Sequence, residues 1–173
     1  MRIDMTEIIL LLILGAAIAS DLRWRTIPNW LTGPSILVGL GLHTVMNQLS
    51  GFVFGLEGAV LGLGLFLVMY LLGWMGAGDV KLYAAVGSFL GPAQTISAAV
   101  VIALVGGLLA LVMLGFNQGW RKMGLWLWSY VQATVLTGSV QRMTPGQGTA
   151  LKVPYAVAIG LGTIGSYWWY PFG

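Results

Sequence analysis

The stretch Phe52-Val-Phe-Gly-Leu-Glu-Gly-Ala-Val-Leu-Gly-Leu-Gly-Leu-Phe-Leu-Val-Met-Tyr-Leu-Leu-Gly-Trp74 holds a single charge, Glu57, and runs straight into Met75-Gly76-Ala77-Gly78-Asp79. A helix needs roughly 20 apolar residues to cross hydrocarbon, so this run reads as a membrane span. The glycine pair that ends it reads as a hinge. That hinge delivers a carboxylate, Asp79, to a membrane surface. The fold expected from this stretch is helical and bilayer-embedded, with its chemistry at the polar breaks between spans.

Toward the C-terminus, Val80 to Leu90 reads as a shorter helix stopped by Gly91-Pro92. At about 1.5 Å per residue it is expected to reach only partway across. Ala93 to Phe116 is long enough to span. Asn117 to Gln141 mixes Trp120, Trp126, Trp128 and Tyr130 with Arg121 and Lys122, a headgroup-region composition. It reads as interfacial, with a spanning helix as the alternative. Thr144 to Gln147 is a loop, and Val153 to Tyr170 the last helix, with Tyr167-Trp168-Trp169-Tyr170 at an interface. Toward the N-terminus, Asn47 to Gly51 is an uncharged turn and Trp30 to Met46 a helix. Asp21 to Asn29 is a polar break, in which Pro28 disfavours helix at Ile27. Met5 to Ser20 is a first, short helix. The expected fold class is therefore all-α: a polytopic transmembrane bundle of about six helices, forming one membrane-embedded domain over residues 1–173.

Composition excludes several function classes. Of 173 residues 58% are hydrophobic and 8% charged, against roughly 25% charged in a soluble domain. There is no cysteine and one histidine, His43, which removes disulfides, thiol nucleophiles and Cys- or His-clustered metal sites. The net charge of +3 comes from basic residues scattered between apolar segments, a pattern that sets topology rather than binding nucleic acid. Gly51/Gly55, Gly58/Gly62 and Gly87/Gly91 sit four apart in apolar surroundings, as in closely packed membrane helices. The run ending Ala17-Ile18-Ala19 mimics a signal-peptide cleavage site, but Arg2 is opposed by Asp4 and Glu7, and more spans follow.

With the N-terminus outside, the first crossing puts Arg23 and Arg25 in the cytoplasm, where basic loop residues prefer to lie. Two further crossings return Asp79 to that face, and the basic-free turn at Asn47 lies opposite. Of the five acidic residues, Asp4, Glu7 and Glu57 have bland positions, whereas Asp21 and Asp79 each abut an apolar helix at a break. Ionisable groups at membrane depth are functional candidates. Two carboxylates within a few Å in a poorly solvated site cannot both ionise cheaply, so such a pair holds one shared proton and is acid and base together. The ionised member can take a proton from water attacking a peptide carbonyl while the other protonates the carbonyl oxygen. Gly76 and Gly78 would let a substrate backbone approach Asp79. The plain alternative is that Asp79 caps the helix starting at Val80.

Gly76-Ala77-Gly78-Asp79-Val80-Lys81-Leu82 resembles the GxGD signature of membrane aspartyl proteases, and its Val-Lys-Leu continuation is similar to type IV prepilin peptidases. Asp21 with Arg25, Ile27, Pro28, Asn29 and Leu31-Thr32 resembles the family's first-aspartate segment, and Val153-Pro154-Tyr155-Ala156-Val157-Ala158 its terminal helix motif. The resemblance implies a membrane-embedded peptidase that removes the basic leader from type IV pilin or pseudopilin precursors. It implies Asp21 and Asp79 as catalytic residues, no cofactor, and a multi-pass place in the bacterial inner membrane with the active site toward the cytoplasm. Larger members carry a cytoplasmic region with paired cysteines and methylate the new N-terminus. This chain has no cysteine and twenty residues before Asp21. It resembles the short Flp/Tad-system peptidases, and methyl transfer is not expected.

Supporting roles are weighed against plainer ones. Lys81 points away from Asp79 on a helix and suits phosphate headgroups, whereas Tyr83, at i+4, could lean over the site or simply pack. Asn29 reads as a cap for the second helix, Pro154 and Tyr155 as lining of a substrate groove, and Arg23 and Arg25 as snorkelling anchors. His43 reads as satisfying a local hydrogen bond. Expected partners are the pilin-type substrate and membrane lipids. The rival readings are a proton- or cation-coupled transport subunit using the two aspartates, for which no internal repeat is visible, an assembly scaffold, and a protease of other membrane substrates.

Overall fold

The computed structural model describes residues 4–73, 75–118 and 155–168, together with the isolated positions Trp128 and Gln132. Regular structure among these residues is helical: α1 is Met5–Trp24, α2 Asn29–Leu71, α3 Ala77–Gln118 and α4 Tyr155–Ser166. Four helices thus stand among the described residues where about six were expected. Pro154 and nearly all of the Asn117 to Gln141 segment lie outside them.

The first helix opens on Asp4, whose N–H donates to the Glu7 carboxylate at 3.3 Å, half of the reciprocal capping arrangement that satisfies free amides at a helix start. This gives both acids a structural role. Leu10, Leu14 and Ala17 form its buried stripe, the i, i+4, i+7 spacing of one helix face. The helix ends later than expected, because Arg25 takes a left-handed conformation (φ 55°) and its N–H closes on the Asp21 carbonyl at 2.8 Å. Asp21 therefore sits inside the last turn of α1, not beyond it.

Within α2, Asn47 and Gln48 leave helical geometry, and the chain doubles back: Gly51 packs on the His43 backbone, and a Cβ on Gly55 would meet the Leu40 side chain at 3.1 Å. The expected turn of Asn47 to Gly51 shrinks to two residues. In α3 the break is Gly91, with φ 71°, a left-handed value that glycine adopts without a Cβ penalty, and Pro92 opens the second limb, where its missing N–H costs nothing. The Tyr83 hydroxyl donates to the Thr95 carbonyl across this turn. Near the break, His43 Nε2 donates to the Phe89 carbonyl at 2.9 Å.

Crossings fix the directions. The second limb of α2 runs antiparallel to the first limb of α3, with Gly58 backbone to backbone against Gly87 and Gly62 against Tyr83. Such approaches need glycine. The first limb of α2 runs parallel to that α3 limb: Ile27 lies against Gly78 at one end, and Gly39 against Ser88 and Phe89 toward the other. Helix α4 pairs antiparallel with the second limb of α3, through Gly162 on Ile102 and Gly106 on Ala158, and with α1, through Gly160 on Ile18. One end of the bundle therefore gathers Asp21, Ile27, Asp79 and Tyr155. The opposite end gathers the turns at Asn47 and Gly91, with Glu7 near Tyr167.

Three helices are long and apolar enough to cross a membrane: α1, α2, and α3 as far as Val112. Their outward faces are apolar, with Leu12, Leu37 and Leu104 each more than 65% exposed. So much continuous apolar surface suits lipid, not water, and fits a multi-pass membrane protein.

Candidate active site

Asp79 is in the first turn of α3. The helix begins at Ala77, three residues earlier than expected, so Asp79 does not cap it from outside. Its Oδ2 instead reaches back to accept the Gly76 N–H at 3.0 Å. This is how a third-position acid satisfies the amide just before a helix. The carboxyl is buried, at 9% exposure.

Asp21 approaches from the last turn of α1 and is half-buried. It accepts the Ala156 N–H at 3.4 Å, a long hydrogen bond from the first turn of α4, whose amide end favours a negative neighbour. Asp21 and Asp79 lie within electrostatic reach of each other, and Tyr155, half-buried at the start of α4, lies within reach of Asp79. A Cβ on Gly106 would come within 3.9 Å of the Tyr155 ring. Three helices thus converge on the carboxylates.

The connector between α1 and α2 is braced on both sides. Ser20 Oγ donates to the Thr26 carbonyl at 2.9 Å. A Cβ on Gly78 would lie 3.2 Å from Ile27 Cβ and 3.3 Å from its carbonyl oxygen. Gly78 therefore faces the Asp21 connector, and the room it was expected to leave for substrate is filled by Ile27. A Cβ on Gly76 would sit 3.2 Å from Asp79 Oδ2, so this glycine keeps space beside the carboxylate itself.

The remaining expected residues divide. Lys81 is exposed and donates to Asn29 Oδ1 at 2.9 Å. Asn29 is the first residue of α2 and makes no capping bond, since Pro28 occupies the cap position. Tyr83 is fully buried, stacked on Phe66 at 4.0 Å with its hydroxyl committed to Thr95, which is packing. Arg23 lies over the Trp24 ring at 5.4 Å, as an interfacial anchor does. Glu57 is exposed on α2. Among the described residues no cluster of His, Asp or Glu could hold a metal. A small, mostly apolar cavity lies at the other end of the bundle, lined by Glu7, Leu10, Thr163 and Tyr167 among others, away from the carboxylates. Sequence reasoning gave Ser20 no role, and it placed Ile27 and Ala156 only within motifs, without the contacts they make here. Ser20 could have been noticed, since a hydroxyl beside a helix-ending acid is a common source of turn-closing bonds.

A helical membrane protein with two carboxylates converging at one end of its bundle has the outline of an intramembrane hydrolase or an ion-coupled carrier. The family comparison separates these: the type IV leader peptidase family matches residues 8–115. The chain belongs to that family, a family of peptidases. The match includes both aspartates and the glycine hinge and stops before the segment from Val153 to Ala158. No curated protein and no solved structure matches the chain.

Proposed function

We propose that this protein is an aspartyl endopeptidase that removes the basic leader of type IV pilin or pseudopilin precursors at the cytoplasmic face of the bacterial inner membrane, with Asp21 and Asp79 as its catalytic pair. The observation that carries the reading is the approach of Asp21, from the end of α1, to the buried Asp79, from the start of α3. The pair shares one proton. Its ionised member draws a proton from a water as that water attacks the scissile carbonyl, and its protonated member donates to the carbonyl oxygen. Collapse of the tetrahedral intermediate breaks the C–N bond, and the pair returns a proton to the leaving amine. The Gly76 and Ala156 amides hold the two carboxyls in place. The apolar helix of the precursor packs laterally in the bilayer while its leader junction extends to the carboxylates.

The test is to mix the purified protein in lipid vesicles with a type IV pilin precursor and follow the product by mass. The expected result is a single cut at the leader junction. An intact precursor beside folded protein would refute the reading, and so would efficient cleavage of a soluble junction peptide lacking the apolar helix, as regards the packing step.

A further inference from the structure

α1 brings Asp21 to the site and, among the described residues, packs on α4 more than on α2 or α3. Besides the Ala156 N–H, a second link ties its carboxylate to the turn that carries Asp79. The connector from Arg25 to Pro28 is that link. On one side it is tied to the turn that carries Asp21, by the Arg25 N–H on the Asp21 carbonyl and by Ser20 on Thr26. On the other it is seated on the turn that carries Asp79, through Ile27 against Gly78. Just beyond the connector, Asn29 Oδ1 receives the Lys81 ammonium at 2.9 Å. Lys81 is two residues past Asp79, on the exposed side of the turn whose other side buries the carboxyl.

Building on the aspartyl peptidase reading, we propose that Lys81 and Asn29 are positioning residues, a clasp that locks the Asp21 connector onto the Asp79 turn and so sets the separation of the two carboxylates. The clasp works from outside the reacting centre. Lys81 supplies a charge-assisted donor on a long stem, and Asn29 a fixed acceptor at a helix start. The bond is exposed and contributes little to overall stability. Its effect is on geometry, to which a pair sharing a proton is sensitive, because misplacement of about 1 Å can cost a hundredfold in rate.

The experiment uses full-length protein in vesicles with a type IV pilin precursor and measures kcat and KM for Lys81→Met, Asn29→Leu, the double variant and Asn29→Asp, with Asp79→Asn in parallel. The clasp predicts kcat lowered about tenfold in Lys81→Met and in Asn29→Leu, with KM unchanged in both. The double variant should be no worse than either single, as for two groups acting as one unit. Asn29→Asp, which keeps the acceptor, should match the unchanged protein. The proposal is overturned if Lys81→Met raises KM at constant kcat, which marks a substrate contact, or if Asn29→Leu is silent while Lys81→Met is not, which marks a headgroup or substrate role for Lys81 alone. Should Lys81→Met fail to insert, the two Asn29 variants decide by themselves. An inactive Asp79→Asn protein beside fully active clasp variants rejects the clasp and leaves the peptidase reading standing; an active Asp79→Asn protein rejects both.

Discussion

Gly62→Ala probes the helix crossing that holds the Asp79 limb in place. A Cβ on Gly62 would lie 2.7 Å from the Tyr83 carbonyl oxygen, 3.3 Å from its carbon and 3.4 Å from Ala84 Cα, all backbone atoms that cannot rotate away. Ordinary contact begins at 3.4 Å, so the second limb of α2 and the first limb of α3 must part by about 0.7 Å, a gap that forfeits a quarter to a half of each affected dispersion contact. Overpacking of this kind costs about 1–3 kcal/mol. The displaced limb carries Asp79 one turn away, so cleavage should fall as well. Gly64→Ala is the internal control, because nothing lies within 4 Å of its Cβ position. Alanine there should be neutral or stabilising by up to about 1 kcal/mol, through helix propensity alone. Stability is read from unfolding of the purified protein in mixed micelles, and activity from precursor cleavage. Equal stability and activity in the two variants would refute the crossing and the rigid placement of Asp79 that depends on it.

Topology is checked in the same chain, which has no native cysteine: Arg25→Cys should be labelled from the cytoplasm and Asn47→Cys from the opposite side, and labelling from one side would break the arrangement. Thr163 has a buried hydroxyl with no hydrogen-bond partner among the described residues. Thr163→Val should therefore unfold no more easily than the parent and gain about 1 kcal/mol, since an unsatisfied buried hydroxyl is removed at nearly constant shape; marked destabilisation would show that the hydroxyl is in use. The pH profile of cleavage should be bell-shaped, because a proton-sharing pair is inactive with two protons or none, and a profile with one limb would point to a single titrating group.

The sequence made the all-helical, apolar character and the meeting of Asp21 with Asp79 at one end legible, because these follow from runs of apolar residues and from where polar breaks interrupt them; the count of about six helices was not matched among the described residues. The breaks themselves were placed within a few residues: Asn47 and Gly91 are where the chain turns. What could not be read locally was what each break residue touches. Gly78 looked like space for a substrate, and it is space for Ile27, more than fifty positions away in the chain. Asn29 looked like a cap and is instead a partner of Lys81. The plain alternative for Asp79 was an outside cap, and it is a reach-back acid inside the helix, which begins at Ala77. The first two depend on long-range contacts that neither spacing nor propensity encodes, whereas the reach-back of Asp79 to Gly76 is local.

The most direct test of the proposed catalytic pair replaces each aspartate by asparagine, which keeps the shape and most hydrogen bonds but would abolish proton sharing. Asp21→Asn and Asp79→Asn, each verified as inserted and folded in vesicles, should lose precursor cleavage almost completely, and the double variant should be little worse than either. Asp4→Asn and Glu57→Gln should cleave normally. Well-folded Asp21→Asn or Asp79→Asn protein that cleaves its precursor at close to the parent rate would contradict the account.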